Sequence, residues 1–182
     1  MRGDIFPYRV LVVDTETTGL PFWEKAEVIE IGACVLSCRG IKVGAFSTLL
    51  RPSKLILDED WDQAQGALSV SGLTREELES APRRMEALAP FHEFCARMQC
   101  PSATAYNVRF DKVMLARDHV VLPWGDDVFR VAQATMREHG VKAGFKLIDV
   151  CQFFGVGSGR QDHRALSDSM LAADVLVANE RL

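Results

Sequence analysis

The chain has 182 residues, of which 48% are hydrophobic, and this length and composition predict a single globular domain over residues 1–182. Its net charge of −4 argues against non-specific binding to long duplexes, which needs a strongly basic surface. The charge does not exclude a nucleic-acid enzyme that brings positive charge as metal ions. Because neither a signal-peptide pattern nor an apolar run of membrane-spanning length occurs, we expect a soluble, cytoplasmic protein without a membrane partner.

The N-terminal third predicts three strands joined by short turns. The β-branched apolar run at residues 10–13 predicts a buried strand that ends at Asp14. Alternation over residues 27–36 and 41–50 predicts two further strands in an antiparallel meander. Residues 53–70 show no regular pattern, so no helix or strand is predicted there.

The remaining two thirds predict helices with one short strand between them. A capping box at Thr74 begins a short helix. Apolar spacing predicts a helix over residues 85–98, with Met85 and His92 on its core side. A short strand at 103–106 and four further helices follow: from Asn107 onward, 126–139, 146–154 and, after a flexible glycine-rich loop at 155–159, 164–179. This order predicts an α/β fold with a mixed central sheet flanked by helices.

Two carboxylates lie next to each other at the first strand. Residues i and i+2 of a strand point to the same face, so Asp14 and Glu16 lie side by side. Two charges at 4 Å repel by about 4 kcal/mol at an effective dielectric of about 20. Mg²⁺ or Mn²⁺ would relieve this repulsion, since both favour oxygen ligands. The alternative is a strand end with two solvated acids.

Two further acidic sites follow in the chain. Asp111 comes just after Asn107, which is placed to cap a helix whose N-terminus favours negative charge. His163 lies on a loop, where a histidine can move and exchange protons near neutral pH. Asp168 lies one turn into the last predicted helix, which would hold its carboxylate rigidly.

Taken together, these motifs resemble one known family. Asp-x-Glu, then Asn-x-x-Phe-Asp, then His-x-Ala-Leu-x-Asp, together with Glu30-Ile31-Gly32 and the segment 70–74, are similar to the DEDDh exonucleases over residues 10–177. Its DnaQ-like members include the proofreading 3′→5′ exonuclease of bacterial DNA replication. The resemblance implies a ribonuclease-H-like fold and two Mg²⁺ or Mn²⁺ ions that assist phosphodiester hydrolysis to nucleoside 5′-monophosphates. By motif, Asp14, Glu16, Asp111 and Asp168 resemble the metal ligands, and His163 resembles the general base.

The resemblance also implies contacts to the substrate. Thr17, Thr18 and Leu20 would hold the terminal nucleotide, with Leu20 either a wedge against the last bases or a core leucine. The other residues implied in substrate binding are Val70, Ser71 and Asn107. Ser71 and Tyr106 stand where many relatives have histidine, and we expect these differences to tune affinity. Phe22 and Trp23 would either stack on single-stranded bases or pack internally.

The expected substrate is a single-stranded 3′ end, with DNA preferred. An RNA-trimming exonuclease of the same family is the first alternative. The 2′-hydroxyl distinguishes RNA from DNA, and no residue of the sequence indicates whether it is bound or excluded. A nucleic-acid-binding module without catalysis is the second. Whether the chain acts alone or with DNA polymerase subunits, and as a monomer or a homodimer, stays open.

Overall fold

The sheet contains four strands, and its order follows from how they pair. A computed structural model describes residues 3–142, 144, 146–159 and 161–182. The strands are β1 (Val10–Thr17), β2 (Val28–Leu36), β3 (Lys42–Leu49) and β4 (Ser102–Thr104). Their order across the sheet is β3-β2-β1-β4. The first three strands are antiparallel and β4 runs parallel to β1, so the predicted meander and mixed sheet are confirmed.

Helices cover both faces of this sheet. They are α1 (Lys54–Asp58), α2 (Trp61–Ser71), α3 (Arg75–Ser80), α4 (Arg84–Met98), α5 (Val108–Ala116), α6 (Val128–Glu138), α7 (Leu147–Phe154) and α8 (Ala165–Asn179). The capping box predicted for α3 is present: the Thr74 hydroxyl accepts a hydrogen bond from the Glu77 amide at 3.2 Å, and the Glu77 carboxylate accepts one from the Thr74 amide at 2.8 Å.

Side-chain alternation along β1 separates two cores. Leu11 and Val13 face the core formed with α4 and α5. Val10 and Val12 face the core formed with α6, α7 and α8. Both faces of β2 are buried, as expected for a central strand.

The prediction that the first strand ends at Asp14 is wrong. β1 continues to Thr17, because Asp14 pairs with Gly32 and Glu16 pairs with Glu30 across the β1–β2 ladder. The two acids therefore lie on hydrogen-bonded strand, which fixes their spacing better than a loop would.

The absence of predicted structure over residues 53–70 is also wrong, because α1 and α2 lie there. Ser53 caps the N-terminus of α1, because its hydroxyl accepts a hydrogen bond from the Ile56 amide. Ile56 and Leu68 pack into a small third core with Ile29 of β2. This core stabilises two helices of 5 and 11 residues, which are too short to be stable without tertiary contacts.

The core face predicted for the helix over 85–98 is partly wrong. α4 buries Leu88 and Phe91 as expected, but Met85 is 78% exposed and His92 is exposed. The buried stripe instead includes Ala87 and Phe94, which rotates the core-facing side of the helix away from Met85 and His92.

The start of α8 lies directly on β2. Gly32 makes this approach possible, since a Cβ atom there would lie 2.1 Å from the carbonyl carbon of Ala165 and from the amide nitrogen of Leu166. Glu30 is buried two residues away, and its carboxylate accepts hydrogen bonds from the Arg164 side chain at 2.8 and 3.0 Å and from the Ala165 amide at 3.1 Å. A glycine and a buried acid on one strand thus determine where the last helix begins.

We predict that Gly32→Ala destabilises the protein by about 3 kcal/mol or more, because main-chain atoms cannot give way to the added methyl group. That loss corresponds to a fall in Tm of roughly 6–12 °C in a thermal scan. Gly66→Ala is the matched control: a Cβ atom at Gly66 meets nothing within 4 Å, and alanine favours the α2 helix by roughly 0.5–1 kcal/mol. Equal Tm values for Gly32→Ala and the wild type would contradict the close approach of the start of α8 to Gly32.

Candidate active site

Three carboxylates converge at the C-terminal half of β1. Asp14 and Glu16 share one face of the strand, and α8 brings Asp168 onto that face. In the described ranges, ligand oxygens of these three residues all lie within 4.8 Å of one another. This spacing suits a shared divalent cation.

Asp111 approaches from the neighbouring edge of the sheet. β4 pairs with β1 only as far as Val12, after which the chain turns into α5. Asp111 lies in the first turn of α5, is buried, and its Oδ1 accepts a hydrogen bond from the Thr15 hydroxyl at 2.9 Å. It is not part of the three-carboxylate cluster defined above, although its charge acts on Asp14.

Burial raises the pKa values of all four acids, and the charges of Asp111 and Asp168 raise those of Asp14 and Glu16 further. Burial raises the pKa of Glu16 to about 8, and the charge of Asp168 adds to the effect. Burial, followed by the charges of Asp111 and Asp168, holds the pKa of Asp14 well above its usual range. Burial also raises the pKa values of Asp111 and Asp168. The site therefore resists full ionisation near neutral pH unless positive charge is added.

The oxygens of Asp168 test whether a cation fits. Oδ2 accepts a hydrogen bond from the Gln161 side chain at 2.5 Å. Oδ1 is buried and has no hydrogen-bond partner among the residues that the structure describes. An unsatisfied buried carboxylate oxygen is costly. A divalent cation beside Asp14 and Glu16 would satisfy it, so the donor set fits a hard metal ion.

His163 lines the same cleft as Asp14 and Asp168. The cleft has a volume of about 520 Å³ and is also lined by Tyr106 and Lys146. The backbone of His163 is left-handed, with φ of 50°, which is uncommon for a residue with a side chain. The next residue, Arg164, is fixed by Glu30, and this contact holds the short segment from which His163 enters the cleft.

Three further residues support the site: Glu30 belongs to a motif that carries the family resemblance but has no predicted role, and Arg164 and Gln161 are not singled out from the sequence. Glu30 and Arg164 form the ion pair that fixes α8, and Gln161 holds Asp168. A glutamate within the apolar strand could have indicated a buried pair, since acids are rarely buried without partners. Nothing in the sequence singled out Gln161, whose contact with Asp168 depends on the loop before α8.

A second concavity, here called the Leu20 pocket, lies beside Glu16. It has a volume of about 390 Å³ and is lined by residues 15–20, by Gln63, Gly66, Ala67 and Val70 of α2, and by Phe110. Leu20 is 54% exposed and Val70 is 53% exposed. This exposure excludes a core role for Leu20 and puts two apolar side chains on the walls of one pocket.

The polar residues expected to contact substrate already have partners inside the protein. The Thr17 hydroxyl donates to the Gly19 carbonyl at 2.8 Å, and the Thr18 hydroxyl accepts from the Glu27 amide at 2.9 Å. Ser71 is buried, donates to the Leu68 carbonyl at 3.3 Å, and does not line the Leu20 pocket. Asn107 precedes α5 as predicted, but the prediction that its side chain caps this helix is wrong, because that side chain makes no capping hydrogen bond. Asn107 is exposed and lines a second groove beyond Phe110.

The sheet order, the helices and the acidic cluster together define a class of protein, the nucleases with a ribonuclease-H-like fold. The chain belongs to the RNase_T exonuclease family, whose model matches residues 11–176. It is therefore a DnaQ-like hydrolase that acts as a 3′→5′ exonuclease on nucleic acid.

Curated relatives agree with this assignment. The chain is 28% identical over 177 residues to the DNA polymerase III subunit epsilon of Rickettsia typhi, covering 93% of this chain and 73% of the relative. The same protein of Rickettsia prowazekii matches with the same identity and coverage.

Solved structures confirm the fold. The nuclease domain of 3′hExo, described as a DEDDh family member bound to rAMP, superposes with a TM-score of 0.72 at 17% identity, covering 96% of this chain and 92% of that chain. A 3′-exonuclease that recognises a histone mRNA stem-loop superposes with a TM-score of 0.74 at 16% identity, covering 97% of this chain and 65% of that chain. Escherichia coli ExoI in complex with single-stranded DNA superposes with a TM-score of 0.69 at 17% identity, covering 91% of this chain and 39% of that chain. This chain thus spans under two thirds of the last two structures.

No helix in the described residues is long and apolar enough to cross a membrane.

The raised pKa values predict how pH affects the metal-free protein. A carboxyl whose pKa is higher in the folded state binds more protons there, so stability falls as pH rises through the folded pKa. In chelator, we expect Tm to fall between about pH 4.5 and pH 8, because the ordinary glutamate pKa is 4.5 and the folded Glu16 value is about 8. The measurement is a series of thermal scans across this range.

Adding Mg²⁺ or Mn²⁺ at pH 8 should raise Tm by about 5–10 °C at a hundred times the dissociation constant. Ca²⁺ serves as a comparison for ion size, and Na⁺ at equal ionic strength controls for screening. A Tm that is independent of both pH and divalent cation would contradict a cation site at these acids.

Proposed function

We propose that the chain is a metal-dependent exonuclease that removes nucleotides from single-stranded 3′ ends, preferably of DNA, and releases nucleoside 5′-monophosphates. The observation that carries this proposal is the unsatisfied buried oxygen of Asp168 beside Asp14 and Glu16, in a cleft that His163 also lines. Clustered carboxylates that can hold divalent cations, with a histidine at the same cleft, suit the hydrolysis of a phosphodiester.

The metal ligands in this proposal are Asp14, Glu16, Asp111 and Asp168. Two Mg²⁺ or Mn²⁺ ions would supply Lewis-acid chemistry, activating water and stabilising the leaving 3′ oxygen. Asp111 lies outside the three-carboxylate cluster, and its Oδ1 accepts a hydrogen bond from Thr15, so Oδ2 is the oxygen that would bind a cation. The protein holds all four side chains on β1, α5 and α8, so binding requires little rearrangement.

His163 is the proposed general base. A ring nitrogen would accept the proton of the attacking water, and such proton transfer is worth about 10²–10⁴ in rate. The ion pair between Arg164 and Glu30 fixes the next residue along the chain, which keeps His163 at the wall of the cleft. The proton would then pass to solvent, because His163 is only partly buried.

The Leu20 pocket is the proposed site for the terminal nucleotide. Leu20 and Val70 would contact the base from opposite walls, and Phe110 would close the side of the pocket. Thr17 and Thr18 would contribute pocket shape and main-chain groups, because their hydroxyls are bonded internally. Ser71 and Asn107 would act less directly, Ser71 through the end of α2 and Asn107 at the start of α5.

The preference for DNA rests on the curated relatives, which are named as subunits of DNA polymerase III. Their names also support DNA polymerase subunits as partners and a proofreading role in replication. The RNA-trimming alternative is favoured by a different observation, since one structural neighbour is named for an mRNA stem-loop and another for bound rAMP. Sugar discrimination must therefore be measured.

The test is a time course on 5′-labelled single-stranded DNA and RNA of one sequence, in Mg²⁺. We expect a one-nucleotide ladder that forms faster on DNA, and no ladder with Asp14→Asn. Burial and the neighbouring acids disfavour the charged form of Asp14, and asparagine cannot ionise, so this substitution should also raise the Tm of the metal-free protein at pH 8. A ladder chiefly on RNA would make the RNA-trimming alternative correct, and metal binding without any ladder would favour a binding module.

His163→Ala should slow hydrolysis by about 10²–10⁴ with little change in Mn²⁺ affinity, because the residue acts on a proton and not on the metal. Single-turnover rates and titration calorimetry measure the two quantities separately. His92→Ala, at an exposed histidine on α4, is the matched control. A large loss of Mn²⁺ affinity in His163→Ala would instead identify His163 as a metal ligand.

A further inference from the structure

Phe22 is displayed to solvent beside the active site. Its side chain is 83% exposed, although large aromatic side chains are usually buried. Its neighbour Trp23 points the other way and packs against two of the hydrophobic cores. One aromatic residue of the pair therefore anchors the loop, and the other is left uncovered.

Arg117, at the end of α5, holds the loop that displays Phe22. Its guanidinium donates hydrogen bonds to the main-chain carbonyls of Pro21 and Ala26, both at 2.6 Å. It also donates to the carbonyls of Trp23 at 3.1 Å and Glu24 at 3.4 Å. Four carbonyls bound by one side chain fix the loop on both sides of Phe22, so the exposed ring has a defined position.

Phe22 forms one wall of a groove, here called the Phe22 groove. This groove has a volume of about 440 Å³ and is lined by Pro21, Phe22, Asn107, Arg109, Phe110 and Val113. Phe110 also lines the Leu20 pocket, so the two concavities share one aromatic wall. Leu20 and Pro21 are consecutive residues, which makes the groove a direct continuation of the pocket.

The charge of the groove is opposite to that of the catalytic cleft. Arg109 is exposed, no carboxylate lines the groove, and the ion pairs found in the described part of the chain do not include Arg109. A free guanidinium beside an exposed aromatic ring suits a phosphate and a base on the same strand.

We propose that the Phe22 groove binds the nucleotide immediately upstream of the terminal one in a single-stranded substrate. The base stacks on the Phe22 ring, and the adjoining phosphate pairs with Arg109. The proposal rests on the exonuclease function proposed above, with the terminal nucleotide in the Leu20 pocket. It explains why a loop is fixed so firmly around a side chain that contributes little to the core.

The test separates the groove from the chemistry by comparing two substrates. The p-nitrophenyl ester of thymidine 5′-monophosphate has one nucleotide and cannot reach the groove, whereas a single-stranded tetranucleotide can. Stacking of one base is worth about 5- to 150-fold in affinity. We expect Phe22→Ala to raise KM for the tetranucleotide at least about fivefold, with kcat/KM for the nitrophenyl ester unchanged.

Matched variants identify the kind of contact. Phe22→Tyr keeps a ring and should behave like the wild type, whereas Phe22→Leu keeps an apolar side chain and should behave like Phe22→Ala. Met85→Ala removes another exposed apolar side chain, on α4, and should change neither KM for the tetranucleotide nor kcat/KM for the nitrophenyl ester. Equal KM values for Phe22→Leu and the wild type would overturn stacking.

Salt dependence tests the phosphate contact of Arg109. Arg109→Ala should reduce the slope of log KM against log salt concentration by about 0.7, the value for one phosphate of a single strand. Arg97→Ala, in the last turn of α4, is the control and should leave the slope unchanged.

The possible failures differ from one another. Wild-type KM for the tetranucleotide in Phe22→Ala would overturn the groove proposal while the exonuclease function stands. Equal losses on both substrates would also overturn it, since the loop would then act on the catalytic cleft. Wild-type protein that hydrolyses neither substrate would remove the proposed function, and the groove proposal with it.

Discussion

The contact between β2 and the start of α8 decides whether this protein has an active site. Asp14 lies opposite Gly32 and Glu16 lies opposite Glu30 in the β1–β2 ladder, and directly opposed residues point to the same face of a sheet. The missing side chain of Gly32 leaves room for the α8 backbone next to Asp14. The Glu30 carboxylate then accepts hydrogen bonds from the side chain of Arg164, just before α8, and from the amide of Ala165, the first residue of α8. This contact between β2 and the start of α8 therefore sets the positions of both Asp168 and His163.

The fixed positions of the four site acids lower the stability of the protein when no cation is bound. Burial raises the pKa values of Asp14, Glu16, Asp111 and Asp168, and repulsion from neighbouring acids raises those of Asp14 and Glu16 further. The hydrophobic cores on both faces of β1 supply the stability that offsets this repulsion. A looser site would repel less, but it would also bind a cation less strongly, because the ligands would first have to be ordered.

Sequence reasoning succeeded where the relevant interactions are local. The capping box at Thr74, the helix start at Asn107 and the shared face of Asp14 and Glu16 depend on residues a few positions apart. It failed for α1 and α2, which are stabilised by contact with β2, and for Gln161, whose partner is set by the loop before α8. The pocket residues show the same limit: Ser71 and Val70 are neighbours in sequence, yet the helical turn exposes Val70 and buries Ser71.

The distribution of charge explains how an acidic chain handles a polyanion. A net charge of −4 argues against tight general binding, but the acids of the site are buried or half-buried on β1, α5 and α8, while α5 also carries the exposed Arg109 and Lys112. At physiological salt, screening over about 8 Å makes these nearby groups matter more than the total charge. A strand that approaches along α5 therefore meets cations first. In the proposed function, the strand would meet the carboxylates only where its terminal phosphate and the divalent ions neutralise each other, which would confine strong binding to the end of the strand.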